Sequence, residues 1–427
     1  MPYNIDRPPG MVRVKSNRRV PPVWLMGLSN STLGLTTGIV FFVMPQLLAA
    51  KHVPEAEIAT ITAVAMFANF WVVVFGPILD VRFSRRWHAT SFAVLGSVLV
   101  YTAVVSLDHL LVLQIVLTLA VATVGLSGAA LGGWLSAVCP PNKKNKLSAW
   151  MNIALICGVG IAAAVGGELV RNLPVPVAAA LLGVSLLLPT LVFLIIPAPG
   201  PDRRLAGESF SQFTREVLAL LRRREVLIAL LFFISPCSSF ALTNILGGLG
   251  GDFHASARMV SLAGGAGAFF PGLAGCLLFP MVARRMPLRL LYLANGVAGG
   301  LFTLSLIVLP HAPWSFILAL VGEFLFQAAS FCIQIGIVFE TIGQNNPLAA
   351  TTFAFLTAAT NIPVAYMMFA DGRGYAMGGV VGSFAMDAGI GITACLLLGL
   401  LLYRLPGNAF GRGNEIIEPL HALAQEE

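Results

Sequence analysis

Charge is what this 427-residue sequence has least of: 11% of its residues are Asp, Glu, Lys or Arg, against about 25% in an average soluble domain. With 57% apolar residues and a mean hydropathy of +0.85, folding on itself would leave apolar surface facing water, so a single soluble globule is excluded. The six cysteines, Cys139, Cys157, Cys237, Cys276, Cys332 and Cys395, contain no Cys-x-x-Cys pair, so neither a disulfide framework nor a metal site is expected. No histidine falls in the middle of an apolar run: His52, His109, His254 and His311 sit in loops on one side, His88 and His421 on the other. That pattern excludes a histidine proton relay. A P-loop, H-E-x-x-H, G-x-S-x-G and a paired Asp-x-x-x-Asp are all missing. Neither an enzyme nor a cofactor is expected, and without an ATP site any uphill work must draw on an ion gradient.

What is abundant is long apolar runs. A bilayer is crossed by about 20 apolar residues in a helix, and twelve runs qualify: 23–49, 57–80, 89–106, 110–138, 147–170, 175–197, 226–249, 257–281, 288–310, 313–341, 348–370 and 377–403. The first run is too long for a signal-peptide core and is read as a retained span. Prolines 197, 199 and 201 end the sixth and open a charged stretch. The chain therefore divides into an N-terminal arm (1–22), a six-helix bundle (23–197), a linker (198–225), a second six-helix bundle (226–403) and a tail (404–427). The expected fold is an all-α polytopic membrane protein of two pseudo-symmetric six-helix bundles. Between Asn361 and Gly391, Asp371, Arg373 and Asp387 interrupt an otherwise apolar run. Either a short turn lies at Asp371 to Tyr375, or a re-entrant segment reaches Asp387.

The net charge of +7 is distributed rather than diffuse. One side of this topology receives the five basic residues of the N-terminal arm, Arg82/Arg85/Arg86, Lys143/Lys144/Lys146, six arginines from Arg203 to Arg224, Arg284/Arg285/Arg289 and Arg404/Arg412, which is 22 of the 26. The other side keeps Lys51, Arg171, Arg258 and Arg373. By the positive-inside rule the rich side, with both termini, is cytoplasmic. The partner that this charge implies is the lipid bilayer of the inner membrane and not nucleic acid, and the expected state is a monomer.

An ionisable group in the bilayer core costs roughly 2.5 to 3.5 kcal/mol even on the lenient insertion scale, so acids there need a reason. Glu323 lies about ten residues into the tenth span, roughly 15 Å deep at 1.5 Å per residue. Gln327 and Gln334 follow at helical spacing on the same face. Two readings stay open: the face lines a water-filled cavity, or Glu323 is a hydrogen-bonded tie between helices. Asn30 and Thr36 belong to an unusually polar first span, and Asn69, Gln114, Asn152, Asn244 and Asn361 add single amides to five others. Individually such groups satisfy local backbone; together they suggest a central site for a polar solute. Glu323, Gln327, Gln334, Asn30, Thr36, Asn69 and Asn361 are the candidate substrate or proton-coupling residues.

A second pattern recurs. Gly76 is followed by Asp80, Arg82, Arg85 and Arg86 at the end of the second span, and Gly275 precedes Arg284 and Arg285 at the same interval half a chain later. These are candidate conformational gating residues, with Asp80 able to meet arginines or a helix N-terminus. Gly-x-x-x-Asp with clustered arginines resembles the signature of the major facilitator superfamily, although Val81 replaces the arginine after the acid. Within it, Leu33 to Gly38, Phe75 to Asp80 and Thr351 to Thr360 are similar to AmpG-type permeases and the related peptide, acetyl-coenzyme A and drug transporters. This chain has Gly132-Gly133-Trp134 where that group often has Asp-Ala-Trp. The resemblance implies a secondary transporter working by alternating access, with proton-coupled uptake of a muropeptide-like solute. A siderophore permease and a non-transporting pigment-assembly factor of the same fold are the alternatives.

Overall fold

A computed structural model describes residues 20–80, 83–198, 215, 217–220, 222–264, 266–343 and 346–404. The N-terminal arm, most of the linker, the C-terminal tail and Arg82 lie outside the described residues. Lipid offers the backbone no hydrogen-bond partners, so each crossing must satisfy itself as a helix. The helices are α1 (Val23–Ala50), α2 (Glu57–Asp80), α3 (Arg85–Val105), α4 (Leu110–Val138), α5 (Pro141–Asn172) and α6 (Val175–Leu194) in the first half. In the second half come α7 (Arg224–Ile234, then short 3-10 turns to Gly251), α8 (Ala257–Gly264 and Ala266–Val282), α9 (Leu288–Ile307), α10 (Pro313–Ile342), α11 (349–377) and α12 (380–404). This is the expected twelve-helix, two-bundle fold.

Small residues set the closest packing. A Cβ on Gly34 of α1 would lie 2.1 Å from the Leu155 carbonyl of α5, so the two backbones touch there. Both helices carry a π-helical stretch just beyond the crossing, Ile39–Val43 and Ala162–Gly166. In α1, Pro45 follows and has no N–H to continue the regular ladder.

Two expectations need correction. The seventh span was expected as one continuous helix over 226–249, but it stops at Ile234. Pro236 disfavours helical geometry in the residue before it, and Ser238 and Phe240 then adopt left-handed backbone at φ 52° and 48°. The freed carbonyls find side chains: Ser330 Oγ donates to Ser238 O at 2.8 Å and Gln327 Nε2 to Phe240 O at 3.4 Å. The turn between the last two spans is also not at Asp371 to Tyr375, nor re-entrant. The chain turns at Gly378–Gly379, where φ of +59° at Gly379 suits a residue without Cβ. Asp371 and Asp387 thus fall inside α11 and α12.

The apolar core explains the shape. One cluster runs through both halves at the basic end, the end that carries Lys143 to Lys146, Arg284 and Arg285, joining Leu79, Trp134 and Leu147 to Phe339, Phe353 and Leu356. At the far end there are two separate clusters, one built from α1 to α6 and one around Leu242, Phe316 and Phe384. The halves are sealed at the basic end and part toward the other.

Candidate functional site

Between the halves lies a cavity of about 260 Å³ lined by α1, α2, α4, α5, α10 and α11. Its polar lining comes from both halves: Asn30, Thr37, Asn69 and Asn152 on one side, Gln334, Thr357, Thr360 and Asn361 on the other. Local chemistry places several of them. Pro363 cannot donate back to Ala359, so α11 bends at Thr360 and turns Thr357, Thr360 and Asn361 to the cavity. Gln334 is held by Tyr292 Oη at 3.3 Å and Asn30 by the Met151 carbonyl at 3.0 Å. Leu33, Val72, Leu155, Phe331 and Phe353 supply apolar wall, and no lining residue is charged. The arrangement suits a neutral, hydroxyl- or amide-bearing solute with an apolar face.

Four of the seven candidate solute or coupling residues, Asn30, Asn69, Gln334 and Asn361, meet in this cavity. Three do not. Thr36 Oγ1 donates to the Thr32 carbonyl of its own helix at 3.0 Å and is buried. Gln327 braces the break in α7, donating to Thr243 Oγ1 at 2.6 Å. Glu323 is fully buried in the second bundle, where Thr303 Oγ1 of α9 donates to its Oε1. The expected common face of Glu323, Gln327 and Gln334 is therefore divided among three environments, because each turn of α10 meets a different neighbour.

The basic end is held by Asp80. Its side chain is completely buried and pairs with Arg85 Nε at 2.7 Å. It also accepts from the first turn of α11 in the other half: Ala350 N at 3.3 Å, Thr351 N at 2.7 Å and Thr351 Oγ1 at 2.7 Å. A helix N-terminus offers unpaired N–H groups and partial positive charge, which complements a carboxylate. Arg85 continues the tie, donating to the carbonyls of Asn346 at 3.0 Å and Pro347 at 2.7 Å. Close approach is possible because α2 and α4 present glycine here. A Cβ on Gly76 would be 3.0 Å from Ala354 Cβ, and one on Gly133 only 2.5 Å from Ala350 N. Of the other gating candidates, Arg86 is half-buried, and Arg284 and Arg285 are exposed on the turn between α8 and α9. None of the three forms an ion pair among the described residues. Gly275 packs instead within its own half, against the Leu325 carbonyl.

Sequence reasoning missed a second tie. Lys144 Nζ, at the start of α5, donates to the carbonyls of Phe339 at 3.0 Å and Gly343 at 3.3 Å, the end of α10. A lysine in the first turn of its own helix opposes that helix's dipole, and that misfit was the available signal that it serves another helix's C-terminus.

A model of the major facilitator superfamily matches residues 26–354. No curated protein matches the chain. Among solved structures, the chain is similar to the E. coli fucose:proton symporter FucP at 14% identity, covering 89% of this chain and 98% of that one with a TM-score of 0.67. It is likewise similar to the proton:xylose symporter XylE at 15% identity, 88% and 94% coverage and a TM-score of 0.64. A bacterial homologue of the iron transporter ferroportin in its outward-facing state matches at 15% identity, 90% and 98% coverage and a TM-score of 0.62. At such identities the likeness is one of fold. The family model, however, spans most of the chain, and the chain belongs to the major facilitator superfamily.

Proposed function

We propose that this protein is a secondary active transporter that takes up a small polar or amphipathic solute across the inner membrane by alternating access, coupled to protons. The observation that carries the reading is the cavity, where uncharged amides and hydroxyls from both halves converge at a depth where each polar group is costly unless it meets a partner. A volume of about 260 Å³ is just below the range of small-molecule sites, roughly 300 to 1,000 Å³, so the cavity holds one sugar-sized part of a solute at a time. Of AmpG-like solutes, the acetamido- and hydroxyl-rich saccharide of a muropeptide fits this neutral lining better than its carboxylate-bearing peptide. The joined core at the basic end, taken as the cytoplasmic side, makes the described conformation outward-facing, and Asp80, Arg85 and Lys144 are its inner gate. FucP and XylE, proton symporters of the same fold, favour proton coupling, and Glu323 is the carboxyl assigned to it.

Binding to the purified protein tests the solute assignment. An anhydro-muropeptide and its peptide-free disaccharide with the lactyl carboxyl capped as an amide, titrated calorimetrically, should bind with similar affinity, and Gln334→Ala should weaken both about tenfold, the loss of one or two hydrogen bonds at a buried site. Binding of the peptide alone, or of neither saccharide, refutes the muropeptide reading.

A further inference from the structure

The three acids that sequence reading left apart converge in the second bundle. Glu323 of α10, Asp371 of α11 and Asp387 of α12 lie within electrostatic reach of one another. Their depths agree independently. Asp371 is seven residues before the Gly378–Gly379 turn and Asp387 eight after it, so the hairpin sets them level. Gly374 and Gly382 bring the two helices of that hairpin into backbone contact, a Cβ on Gly374 falling 2.4 Å from the Gly382 carbonyl. Glu323 is eleven residues from Gln334 along α10, and Asp371 ten from Asn361 along α11, each about 15 to 17 Å at 1.5 Å per residue. The cluster therefore stands one such step from the cavity, toward the far end.

Its hydrogen bonding is incomplete in a way that the fold does not repair. Glu323 and Asp371 are wholly buried and Asp387 is 9% exposed. Thr303 serves Glu323 Oε1, but Glu323 Oε2, both oxygens of Asp371 and Asp387 Oδ1 have no hydrogen-bond partner among the described residues. Ser383, one turn before Asp387 on the same face of α12, is also wholly buried with an unpartnered Oγ. Among the described residues no basic side chain pairs with these acids. Arg373 of α11 is exposed over the Phe369 ring, His254 and Arg258 are exposed before and at the start of α8, and the His311 ring lies tilted against Phe253. Asp252 accepts from Tyr375 Oη at the surface, and the remaining charges of α9, α10 and α12, Arg289, Glu340 and Arg404, are at the basic end. Among the described residues no group of three or more His, Cys, Asp or Glu is arranged to hold a metal ion.

Carboxylates that share a dry pocket repel one another and need a charge-balancing ligand. With no basic neighbour and no metal geometry, the ligand that fits a packed site is the proton. We propose that Glu323, Asp371 and Asp387, with Ser383 and Thr303, form one shared proton-binding site, separate from the solute cavity. Protons bind as O–H on carboxyl oxygens, with Thr303 Oγ1 bonded to the Glu323 carboxyl and the free Ser383 hydroxyl beside Asp387, and leave to water when the far end hydrates. The link to solute rests on the transport reading above: α10 and α11 each carry one acid here and polar cavity residues one step away, Gln334 on α10 and Thr357, Thr360 and Asn361 on α11, so a movement that closes the cavity also shifts Glu323 against Asp371.

Infrared difference spectroscopy of the purified full-length protein, stepped between about pH 5 and 9, reads the protonated carboxyl stretch directly. Wild type should show a buried carboxyl band that shifts in heavy water. Glu323→Gln, Asp371→Asn and Asp387→Asn, each checked for an unchanged melting temperature, should remove part of the band and move the midpoint of what remains by about one pH unit, because the groups are shared. Gln334→Ala should leave the band unchanged while weakening disaccharide binding. A wild-type protein with no such band, residual titrations that do not move in any variant, or a band driven by sodium in place of choline at fixed pH would each overturn the proposal. A wild-type protein that binds no solute while its coupled band is intact would overturn the transport reading alone.

Discussion

Asp80→Asn tests the proposed gate at the basic end. The carboxylate presents Oδ1 to Arg85 Nε and Ala350 N, and Oδ2 to Thr351 N and Oγ1. An asparagine of the same shape must turn its NH2 toward one of these donor pairs, so at least one side of the interaction becomes donor against donor. Hydrogen bonds to charged groups are worth about 1.5–3 kcal/mol against about 0.5–1.5 for neutral ones. Across three bonds between the halves the expected loss is about 2–4 kcal/mol from the state closed at the basic end. At 1.4 kcal/mol per tenfold, the equilibrium shifts about 30- to 700-fold toward opening there. Spin labels on Asn142→Cys and Arg285→Cys, exposed positions of opposite halves at that end, report the distance between the halves. Wild type should give one short population and Asp80→Asn a dominant longer one, with solute affinity nearly kept and transport slowed. An unchanged distance distribution in Asp80→Asn would refute the assignment of this cluster as the gate.

Other outcomes follow from the same geometry. Gly133→Ala places a Cβ 2.5 Å from Ala350 N and should open the basic end in the same label assay; a wild-type distance would mean that α11 does not rest on α4. Lys144→Met removes the donor to Phe339 and Gly343, so amide exchange at the end of α10 should quicken several-fold while the far end of that helix is unaffected. For topology, a cysteine at Lys146 should resist an impermeant maleimide in intact cells, whereas one at Arg171 should label; the reverse pattern inverts the assigned orientation. Ser330→Ala removes the donor to Ser238 O in the broken stretch of α7 and should lower thermal stability by about 1–3 kcal/mol, the cost of a buried unsatisfied carbonyl.

The fold was legible because it is written in quantities that do not depend on tertiary detail. Apolar run length fixes the number of crossings, and alternating basic loops fix their register. The Asp80–Arg85 contact was partly legible for the same reason: Asp80 ends an apolar run and Arg85 begins the next helix, so both must lie near the end of the bundle. Their partners were not legible, since Ala350 and Thr351 contribute mainly backbone N–H groups, which every residue but proline has. The cavity was legible as a set of amides but not as a selection among them. Asn69 and Thr36 look alike in sequence, and only the packing of α1 against its neighbours turns Thr36 to its own backbone. The acid cluster was obscured by the turn. Asp371 beside Arg373 has the composition of a loop, while the flexible Gly378–Gly379 pair that makes the turn sits among glycines common throughout the spans.

The central claim is coupled transport through the amide cavity, and uptake by proteoliposomes under an imposed pH gradient tests it most directly. Wild-type protein should accumulate the labelled, amide-capped anhydro-disaccharide above its equilibrium level, while Glu323→Gln, which keeps size but cannot titrate, should still exchange solute across the membrane yet fail to accumulate it. Wild-type uptake no greater than that of protein-free liposomes, or undiminished accumulation by Glu323→Gln, would contradict the account.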